Sequence, residues 1–362
     1  MRILVAPDKF AGTLSAVEAA EAIAAGWRRQ APDDELDLAP MADGGPGFLD
    51  VLHAGLGGEL LVVTVPGPAG VDVPATVLRV GDTAYLESAQ AVGLPLVGTS
   101  DPLARSSAGV GRLLWEAVGL GVRRIVVGLG GTATNDGGAG LLAALGATAA
   151  GGSLTDGPQG LAEVTAVDLA PARALLADVE VVAASDVDNP LTGLFGATKV
   201  FGPQKGLTED QLPGVDGRLQ HLAELTDRRT ALAKGAGAAG GIGFALLLLG
   251  ATRSPGIGLV ADAVGLADRA RAVDLVVTGE GAFDFSSRAG KVPYGVAEIA
   301  GQALRPCVVL AGQVLVGSRE MRALGVESAY SLVELVGEDR ALGDPAGALA
   351  ELAERVARSW SR

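Results

Sequence analysis

Carboxylates recur at five places in the sequence, most of them beside glycine, and each follows shortly after an apolar run that predicts a β-strand. Carboxylates orient or deprotonate hydroxyl groups and bind Mg²⁺, and glycine lets the backbone approach a ligand closely. Ligands in open α/β sheets bind beyond the carboxyl ends of the strands, so these ends predict a polar crevice for a polyoxygenated ligand and a metal ion. The five segments are Pro7-Asp8-Lys9, Ala42-Asp43-Gly44-Gly45, Asn135-Asp136-Gly137-Gly138, Ser185-Asp186-Val187-Asp188-Asn189 and Gly279-Glu280-Gly281-Ala282-Phe283-Asp284.

The segment from Gly130 to Gly138 is the most informative of these places. It reads as a loop of glycine and hydroxyl residues between a strand and a helix, and Thr132, Thr134 and Asn135 add hydrogen-bond donors. Free N–H groups at the start of the helix and the helix dipole favour an anion, which predicts a cradle for phosphate or carboxylate. An ordinary tight turn capped by Asn or Asp explains the same pattern equally well.

Two lysines lie in short turn-like segments of this acidic chain. Lys205 belongs to Phe201-Gly202-Pro203-Gln204-Lys205-Gly206, and Lys291 directly precedes a predicted helix with Pro293 in its first turn. Either lysine would supply a cation to phosphate, although a solvated surface lysine is the more common arrangement.

Familiar nucleotide and hydrolase signatures do not fit this sequence. Gly-x4-Gly-Lys-Ser/Thr does not occur, and residues 235–240 match Gly-x-Gly-x-x-Gly but follow a polar helical segment instead of a strand. A flexible glycine loop is therefore favoured there, with a loop that covers phosphate as the alternative. His53 and His221 form no recognisable Ser-His-Asp or metal-binding set, which disfavours hydrolysis by an activated serine.

The elements that must position these residues alternate along the chain as short apolar strands and helices, which predicts an α/β protein with mostly parallel sheets. Ser15 and Glu18 form a capping-box pattern at the start of a helix that extends to about Arg29. Gly81-Asp82 predicts a hairpin turn, an antiparallel interruption of the pattern. The predicted strands are 3–6, 35–39, 60–65, 75–80, 83–87, 124–128, 179–184, 274–278, 307–311 and 327–331.

Composition limits the class of protein. The chain has 362 residues, of which 54 are glycine, and a formal net charge of −14. The length predicts two domains, and the acidic balance disfavours nucleic acid and anionic membranes as partners. The single cysteine, Cys307, excludes an internal disulfide and is expected to be buried in a strand. The first apolar run is short and is interrupted by Asp8 and Lys9, so we expect a cytoplasmic protein.

Taken together, the motifs resemble those of the type I glycerate kinases, bacterial enzymes that transfer phosphate from ATP to D-glycerate. The segments follow the order of that family across nearly the whole chain; each alone is weak evidence, and jointly they are specific. They are Ala6-Pro7-Asp8 through Ser15-Ala16, Pro40-Met41-Ala42-Asp43-Gly44-Gly45, residues 128–140, Ser185-Asp186-Val187-Asp188-Asn189-Pro190-Leu191, Val200-Phe201-Gly202-Pro203-Gln204-Lys205-Gly206, residues 235–243, and Gly279-Glu280-Gly281 to Gly290-Lys291.

The resemblance implies two α/β domains. One is Rossmann-like or flavodoxin-like and is built from both chain ends, residues 1–64 and 288–362. The other, residues 65–287, is inserted and has a mixed sheet. The resemblance also implies ATP and Mg²⁺ as cofactors and glycerate as a small-molecule substrate, with no nucleic-acid or membrane partner, and it leaves a homodimer open.

The resemblance also gives each candidate residue a role in phosphoryl transfer, which needs an aligned hydroxyl, a metal, and cations or N–H groups on the developing charge. Asp186 or Asp43 would orient or deprotonate the glycerate hydroxyl, and Lys205 would neutralise phosphate. The magnesium environment would be formed by Asp186, Glu280 and Asp284. Substrate or phosphate binding is expected from Asp8, Lys9, Gly44, Gly45, Thr132, Thr134, Asn135, Asp136, Asn189 and Lys291.

The sequence departs from the family pattern at a few positions. Ala11 stands where Lys is common, Pro46 where Glu is common and Phe48 where Thr is common, and a polar residue is common near Phe285-Ser286. Lys9 is a candidate electrostatic replacement for the missing lysine. Besides a glycerate kinase with 2-phosphoglycerate as the favoured product, two alternatives stay open: a kinase of another small hydroxy or sugar acid, and a non-catalytic nucleotide- or metabolite-binding protein.

Overall fold

The protein is an α/β protein, as the strand and helix pattern predicts. We describe a computed structural model that covers residues 1–10, 12–284 and 291–361. Its strands are β1 (Arg2–Val5), β2 (Glu35–Leu38), β3 (Glu59–Pro66), β4 (Asp72–Val80), β5 (Thr83–Glu87), β6 (Arg124–Gly128), β7 (Thr148–Ala150), β8 (Ala166–Asp168), β9 (Glu180–Ala184), β10 (Thr252–Ser254), β11 (Leu275–Phe283), β12 (Cys307–Val314) and β13 (Ser328–Ser331).

Helices separate most of these strands. They are α1 (Ala16–Gln30), α2 (Phe48–Leu56), α3 (Ser88–Val92), α4 (Ala108–Gly119), α5 (Ala139–Ala144), α6 (Gly157–Gly160), α7 (Ala170–Leu175), α8 (Ala197–Phe201), α9 (Leu212–Leu225), α10 (Arg228–Ala231), α11 (Ile242–Leu248), α12 (Gly256–Ala263), α13 (Leu266–Arg271), α14 (Val292–Gln302), α15 (Ser318–Ala323), α16 (Leu332–Val336), α17 (Glu338–Gly343) and α18 (Pro345–Trp360). Short 3₁₀ turns occur at Leu94–Leu96, Leu161–Glu163, Pro203–Lys205 and Ala238–Gly241.

The chain divides into two compact units. The first unit consists of Met1–Asp43, Asp50–Gly57 and Pro255–Arg362, and the second of Gly44–Leu49 and Gly58–Ser254.

The sheet of the first unit is parallel throughout and has the strand order β13-β12-β11-β1-β2. Counted along the chain this is the order 2-1-3-4-5 of flavodoxin-like folds, in which the strand order reverses between β1 and β11. The inner strands are rich in Val, Ile and Leu because both faces of a parallel sheet are covered. Cys307 lies buried in β12, and burial raises the pKa of its thiol to about 12.

One face of this sheet is covered by α1 and α18. The predicted capping box is present: the Ser15 side chain accepts from the Glu18 N–H, and the Glu18 carboxylate accepts from the Ser15 N–H. A Cβ on Gly26 would lie 1.8 Å from the carbonyl oxygen of Ala350, so glycine allows the two helices to approach closely.

The main sheet of the second unit is mixed, with the order β10-β9-β6-β5-β4-β3. Strands β5, β6, β9 and β10 are parallel, whereas β3, β4 and β5 pair antiparallel. The hairpin predicted at Gly81-Asp82 joins β4 to β5. A separate antiparallel pair is formed by β7 and β8.

The division of the chain differs from the boundaries expected from sequence at both crossings. The expected boundary between residues 64 and 65 falls inside β3, which pairs with β4 and belongs to the second unit. The expected boundary between residues 287 and 288 assigns β11 to the inserted domain. Strand β11 instead pairs with both β1 and β12, so it is the middle strand of the first unit's sheet, and that unit resumes at Pro255. Within the described residues, no helix is long and apolar enough to cross a membrane.

Candidate active site

The first unit gathers charged side chains where β1, β2 and β11 end. The Asp8 N–H donates to the carbonyl oxygen of Gly279 at 2.8 Å, which fixes the segment after β1 beside the middle of β11. The Lys9 Nζ atom lies 3.7 Å from Asp8 Oδ1 and 3.7 Å from Asp43 Oδ1. Burial raises the pKa of Asp8 to about 6; the Lys9 charge opposes this rise and the Asp43 charge adds to it.

A second group in the same unit surrounds Lys291, the residue that precedes α14. Its Nζ atom lies 4.0 Å from Glu280 Oε2 and 3.6 Å from Asp284 Oδ1. The structure therefore brings Glu280, Asp284 and Lys291 together, and their roles stay predictions.

These two carboxylates have the chemistry that Mg²⁺ prefers. Magnesium is usually held by one or two carboxylates together with substrate phosphates and water, and seldom by a complete protein cage. The described residues contain no group of three or more His, Cys, Asp or Glu side chains placed to hold a metal. Glu280 and Asp284 thus fit a magnesium ion that arrives with a nucleotide.

In the second unit, residues 129–138 form a buried loop between the end of β6 and α5. Lys205 reaches into this loop: its Nζ donates to Thr132 O at 2.9 Å, to Thr132 Oγ1 at 3.1 Å and to Thr134 O at 2.9 Å. Burial lowers the pKa of Lys205 to about 7, Asp136 opposes the fall, and Arg105 adds to it. With an exposed fraction of 4 %, Lys205 is not the solvated lysine that its segment also allowed.

Asp136 stabilises the same loop through hydrogen bonds to its carboxylate. Its carboxylate accepts from the Ser107 N–H and hydroxyl and from the N–H groups of Gly138 and Gly140. Burial raises the pKa of Asp136, and these hydrogen bonds oppose the rise. The capped turn that the sequence allowed is thus present, with a carboxylate that is occupied by protein groups.

Two buried polar atoms of the loop lack a hydrogen-bond partner among the described residues. Asn135 Nδ2 donates to Thr198 Oγ1 at 2.9 Å. Thr134 Oγ1 and Asn135 Oδ1 are buried and have no hydrogen-bond partner in the part of the chain that the structure describes. Because a buried polar atom without a partner costs about 1–3 kcal/mol, these atoms mark the loop as a place for a ligand or water.

Sequence reasoning missed the residues that support this loop. Arg105 is buried and donates from Nη1 to the carbonyl oxygen of Lys205 at 2.6 Å and from Nη2 to that of Ser100 at 2.6 Å. Ser107 and Thr198 complete the network. The sequence offered one indication, a charged Arg105 next to Leu103-Ala104 and two serines. Its partners are distant in the chain and could not be predicted from the sequence.

The predicted binding glycines Gly44 and Gly45 belong to the second unit and pack against other backbone segments of that unit. The Gly130 N–H donates to Gly44 O at 3.0 Å. A Cβ on Gly44 would lie 2.9 Å from Ala184 O, and one on Gly130 would lie 2.4 Å from the Gly45 Cα atom. Close backbone approach therefore requires these glycines, and their contact with a ligand stays a prediction.

The loop after β9 carries Asp186 and Asn189, which are three residues apart in the chain. Asn189 Nδ2 donates to Phe195 O at 2.8 Å. Between them, Asp188 is 2.7 Å from Arg253 and 3.1 Å from Lys234, so this second acidic residue of the loop is held in two ion pairs. Asp186 itself is half-buried.

The glycines of residues 235–243 have a packing role. A Cβ on Gly240 would lie 1.9 Å from Thr134 O, and one on Gly241 would lie 2.4 Å from the Gly137 Cα atom. Both have positive φ, +67° and +96°. The segment follows α10, in agreement with the rejection of a dinucleotide fingerprint, and it lies directly on the loop of residues 129–138.

The departures from the family pattern have different structural settings. Phe48 is fully buried and packs edge-on against Tyr85, with ring centroids 6.4 Å apart, so it is a core residue. Pro46 is exposed and close to Gly131, whose Cβ would lie 2.7 Å from the proline ring. Ala11 and Phe285-Ser286 lie outside the described residues.

Comparisons with known proteins agree with the predicted resemblance. The sequence model described as the glycerate kinase family matches residues 3–361. A glycerate kinase of Bacillus subtilis is 39% identical over 92% of this chain and 90% of its own length. The glycerate 2-kinase of Escherichia coli is 38% identical over 93% of this chain and 92% of its own. A Salmonella typhimurium structure, described as a glycerate kinase 2, has a TM-score of 0.84 at 37% identity and covers 99% of this chain and 98% of its own. The predictions of the family and of a kinase are confirmed: the chain belongs to the glycerate kinase family.

Proposed function

We propose that this protein transfers the γ-phosphate of ATP to a hydroxyl of D-glycerate and forms phosphoglycerate, with 2-phosphoglycerate as the favoured product. The family match over residues 3–361 carries the proposal. The choice of product is supported by the Escherichia coli relative, whose name is glycerate 2-kinase.

The first unit supplies charges suited to a metal-bound polyphosphate. Phosphoryl transfer depends on positioning and on neutralising the phosphates. We assign Glu280 and Asp284 to the magnesium environment, where the ion would neutralise phosphate charge. Lys291, now between those two carboxylates, would move to phosphate oxygens when the metal occupies them. Lys9 is the second cation of this unit, and Asp8 and Asp43 lie beside it.

Two aspartates are our candidates for the group that orients or deprotonates the glycerate hydroxyl. They are Asp43, 3.7 Å from Lys9, and the half-buried Asp186 at the end of β9. We also propose Asp186 as a magnesium ligand. Replacing each aspartate by Asn tests which of them is the base. Loss of the base should lower kcat by about 10²–10⁴-fold without a matching rise in KM.

The loop of residues 129–138 is our candidate for holding the acceptor substrate, through the side chains of Thr132, Thr134 and Asn135, because the N–H groups of Gly137, Gly138 and Gly140 already donate to protein oxygens. Lys205 is placed to organise this loop, because its ammonium donates to two loop carbonyls and a hydroxyl. Phosphate neutralisation would then depend on Lys9 and Lys291.

The test is ADP formation from Mg-ATP and D-glycerate by the purified protein, followed by NMR identification of the product. We expect D-glycerate-dependent ADP and a phosphate ester at the 2-hydroxyl. No ADP above the control without glycerate, at high enzyme concentration, would refute the proposal. Ester at the 3-hydroxyl would refute only the choice of product.

One observation favours a second candidate, a kinase of another small hydroxy or sugar acid. The exposed Pro46 ring lies beside Gly131, directly before Thr132, at a position where the family pattern commonly has a carboxylate. A panel of hydroxy acids in the same assay decides between the acids by kcat/KM. Thermal stabilisation by ligands without turnover of any acid would instead identify a non-catalytic binding protein.

A further inference from the structure

The first unit contains a cavity of about 250 Å³. None of the residues assigned above to substrate, phosphate or metal lines it. Its walls include Phe10, from the segment after β1, and Leu332 and Ala341, from α16 and α17. Its floor is formed by Gly281 on β11 and Gly312 on β12. Side chains alternate along a strand, so these glycines lie on the same sheet face as Val277 and Leu310, which pack under α1 and α18.

The position of the cavity in the sheet points to a ligand. It opens where β11 and β12 approach their carboxyl ends, beside the point between β1 and β11 at which the strand order reverses. In open α/β sheets this is where ligands bind. Glycine within a strand often marks the close approach of a ligand, because it leaves the floor without side chains.

The lining specifies what kind of ligand fits. Phe10, Leu332 and Ala341 give apolar walls, and no lysine or arginine is among the described residues around the cavity. Within the described residues a phosphate or carboxylate group has no cationic partner there, whereas a flat neutral ring fits. The polar groups are the Gln313 amide, a donor and acceptor for the edge of a base, and the exposed Glu338 carboxylate, an acceptor for hydroxyl groups.

The size limits how much of a ligand enters. Sites for whole small molecules usually measure about 300–1,000 Å³, so this cavity suits one part of a larger ligand. Lys9 directly precedes Phe10 in the chain, so a cation lies one residue from the wall.

We infer that this cavity binds the adenosine end of ATP, with the base between Phe10 and the glycine floor and the ribose hydroxyls on Glu338. The inference rests on the proposed function, which supplies ATP as the phosphate donor. It places nucleotide binding in the first unit and leaves the choice of acceptor untouched.

The test fills the cavity and measures ADP binding by calorimetry. Ala341→Phe adds a ring at a buried wall position, and we expect the Kd for ADP to rise at least tenfold and the KM for ATP with it. The KM for D-glycerate should not change. Ala223→Phe is the matched control, since Ala223 is also a buried helical alanine that lines a cavity, in the second unit.

A second variant keeps the test informative if Ala341→Phe does not fold. Glu338→Gln keeps the exposed side chain nearly the same size, and we expect a several-fold weaker binding of ADP but unchanged binding of 2′,3′-dideoxy-ADP. The inference is overturned if both variants bind ADP within twofold of wild type, or if wild type does not bind ADP. Wild type that binds ADP but phosphorylates no acid would overturn the proposed function alone.

Discussion

Replacing Lys205 by Met tests whether a buried ammonium organises the loop of residues 129–138. The lowering of the Lys205 pKa from 10.5 to about 7 corresponds to about 5 kcal/mol against the charged form in the folded protein. Met fills a similar volume without charge. It leaves the carbonyls of Thr132 and Thr134 without their donor, at about 1–3 kcal/mol for each buried acceptor. These two effects have opposite signs below pH 7, so we expect a small net change in stability there.

The pH dependence gives the sharper result. The folded pKa lies below the unfolded one, so between pH 7 and 10.5 the unfolded wild type binds more protons than the folded protein. Wild type should therefore gain about 1.4 kcal/mol of stability per pH unit relative to Lys205→Met as the pH rises above 7. Urea titrations of both proteins at several pH values measure this difference.

Lys234→Met is the matched control, because Lys234 lies in the same unit but is exposed beside Asp188. This control measures how the same urea titrations respond to the loss of an exposed lysine. A Lys205→Met difference that does not change above pH 7 would refute the lowered pKa of Lys205. For activity, we expect kcat/KM to fall at least a hundredfold with the fold intact, because the loop loses three hydrogen bonds.

Three other replacements have direct outcomes. Asp8→Asn removes a carboxyl with a folded pKa of about 6, so wild type should lose about 3 kcal/mol relative to the variant between pH 3.8 and 6, measured by urea titration; a flat difference contradicts this. Asp136→Asn offers one acceptor oxygen where a carboxylate accepts four hydrogen bonds, and it should lower the free energy of unfolding by about 3 kcal/mol; an unchanged melting temperature contradicts this. Lys291→Met should raise the KM for Mg-ATP about tenfold or more without changing thermal stability, and an unchanged KM contradicts its assignment to phosphate.

Local features were predictable from the sequence because their partners are close in the chain. The capping box of Ser15 and Glu18 spans three residues, and the turn at Gly81-Asp82 lies directly between the strands that it joins. The buried strand position of Cys307 follows from its apolar neighbours. The family was recognisable for a related reason: its motifs are short segments in a fixed order, and their order needs no coordinates.

The neighbours of a residue in space could not be predicted in this way. Strand β11 belongs to the sheet of β1, although 272 residues separate Ala6 from the Thr278 hydroxyl that donates to its carbonyl oxygen. Fixing such a pairing requires the whole fold, since the apolar pattern of β11 is equally consistent with either sheet.

The sequence by itself determined the α/β class, the family and the residue types available for chemistry, since these depend on composition and on order along the chain. Only the tertiary structure decided that Lys205 points into the protein and that Asp136 is occupied by Ser107 and nearby N–H groups. It also brought Arg105 within 2.6 Å of the Lys205 carbonyl oxygen across 100 residues of chain. The reason is that desolvation and hydrogen bonding depend on what surrounds a group in space, and the groups around Lys205 come from segments that are distant in sequence.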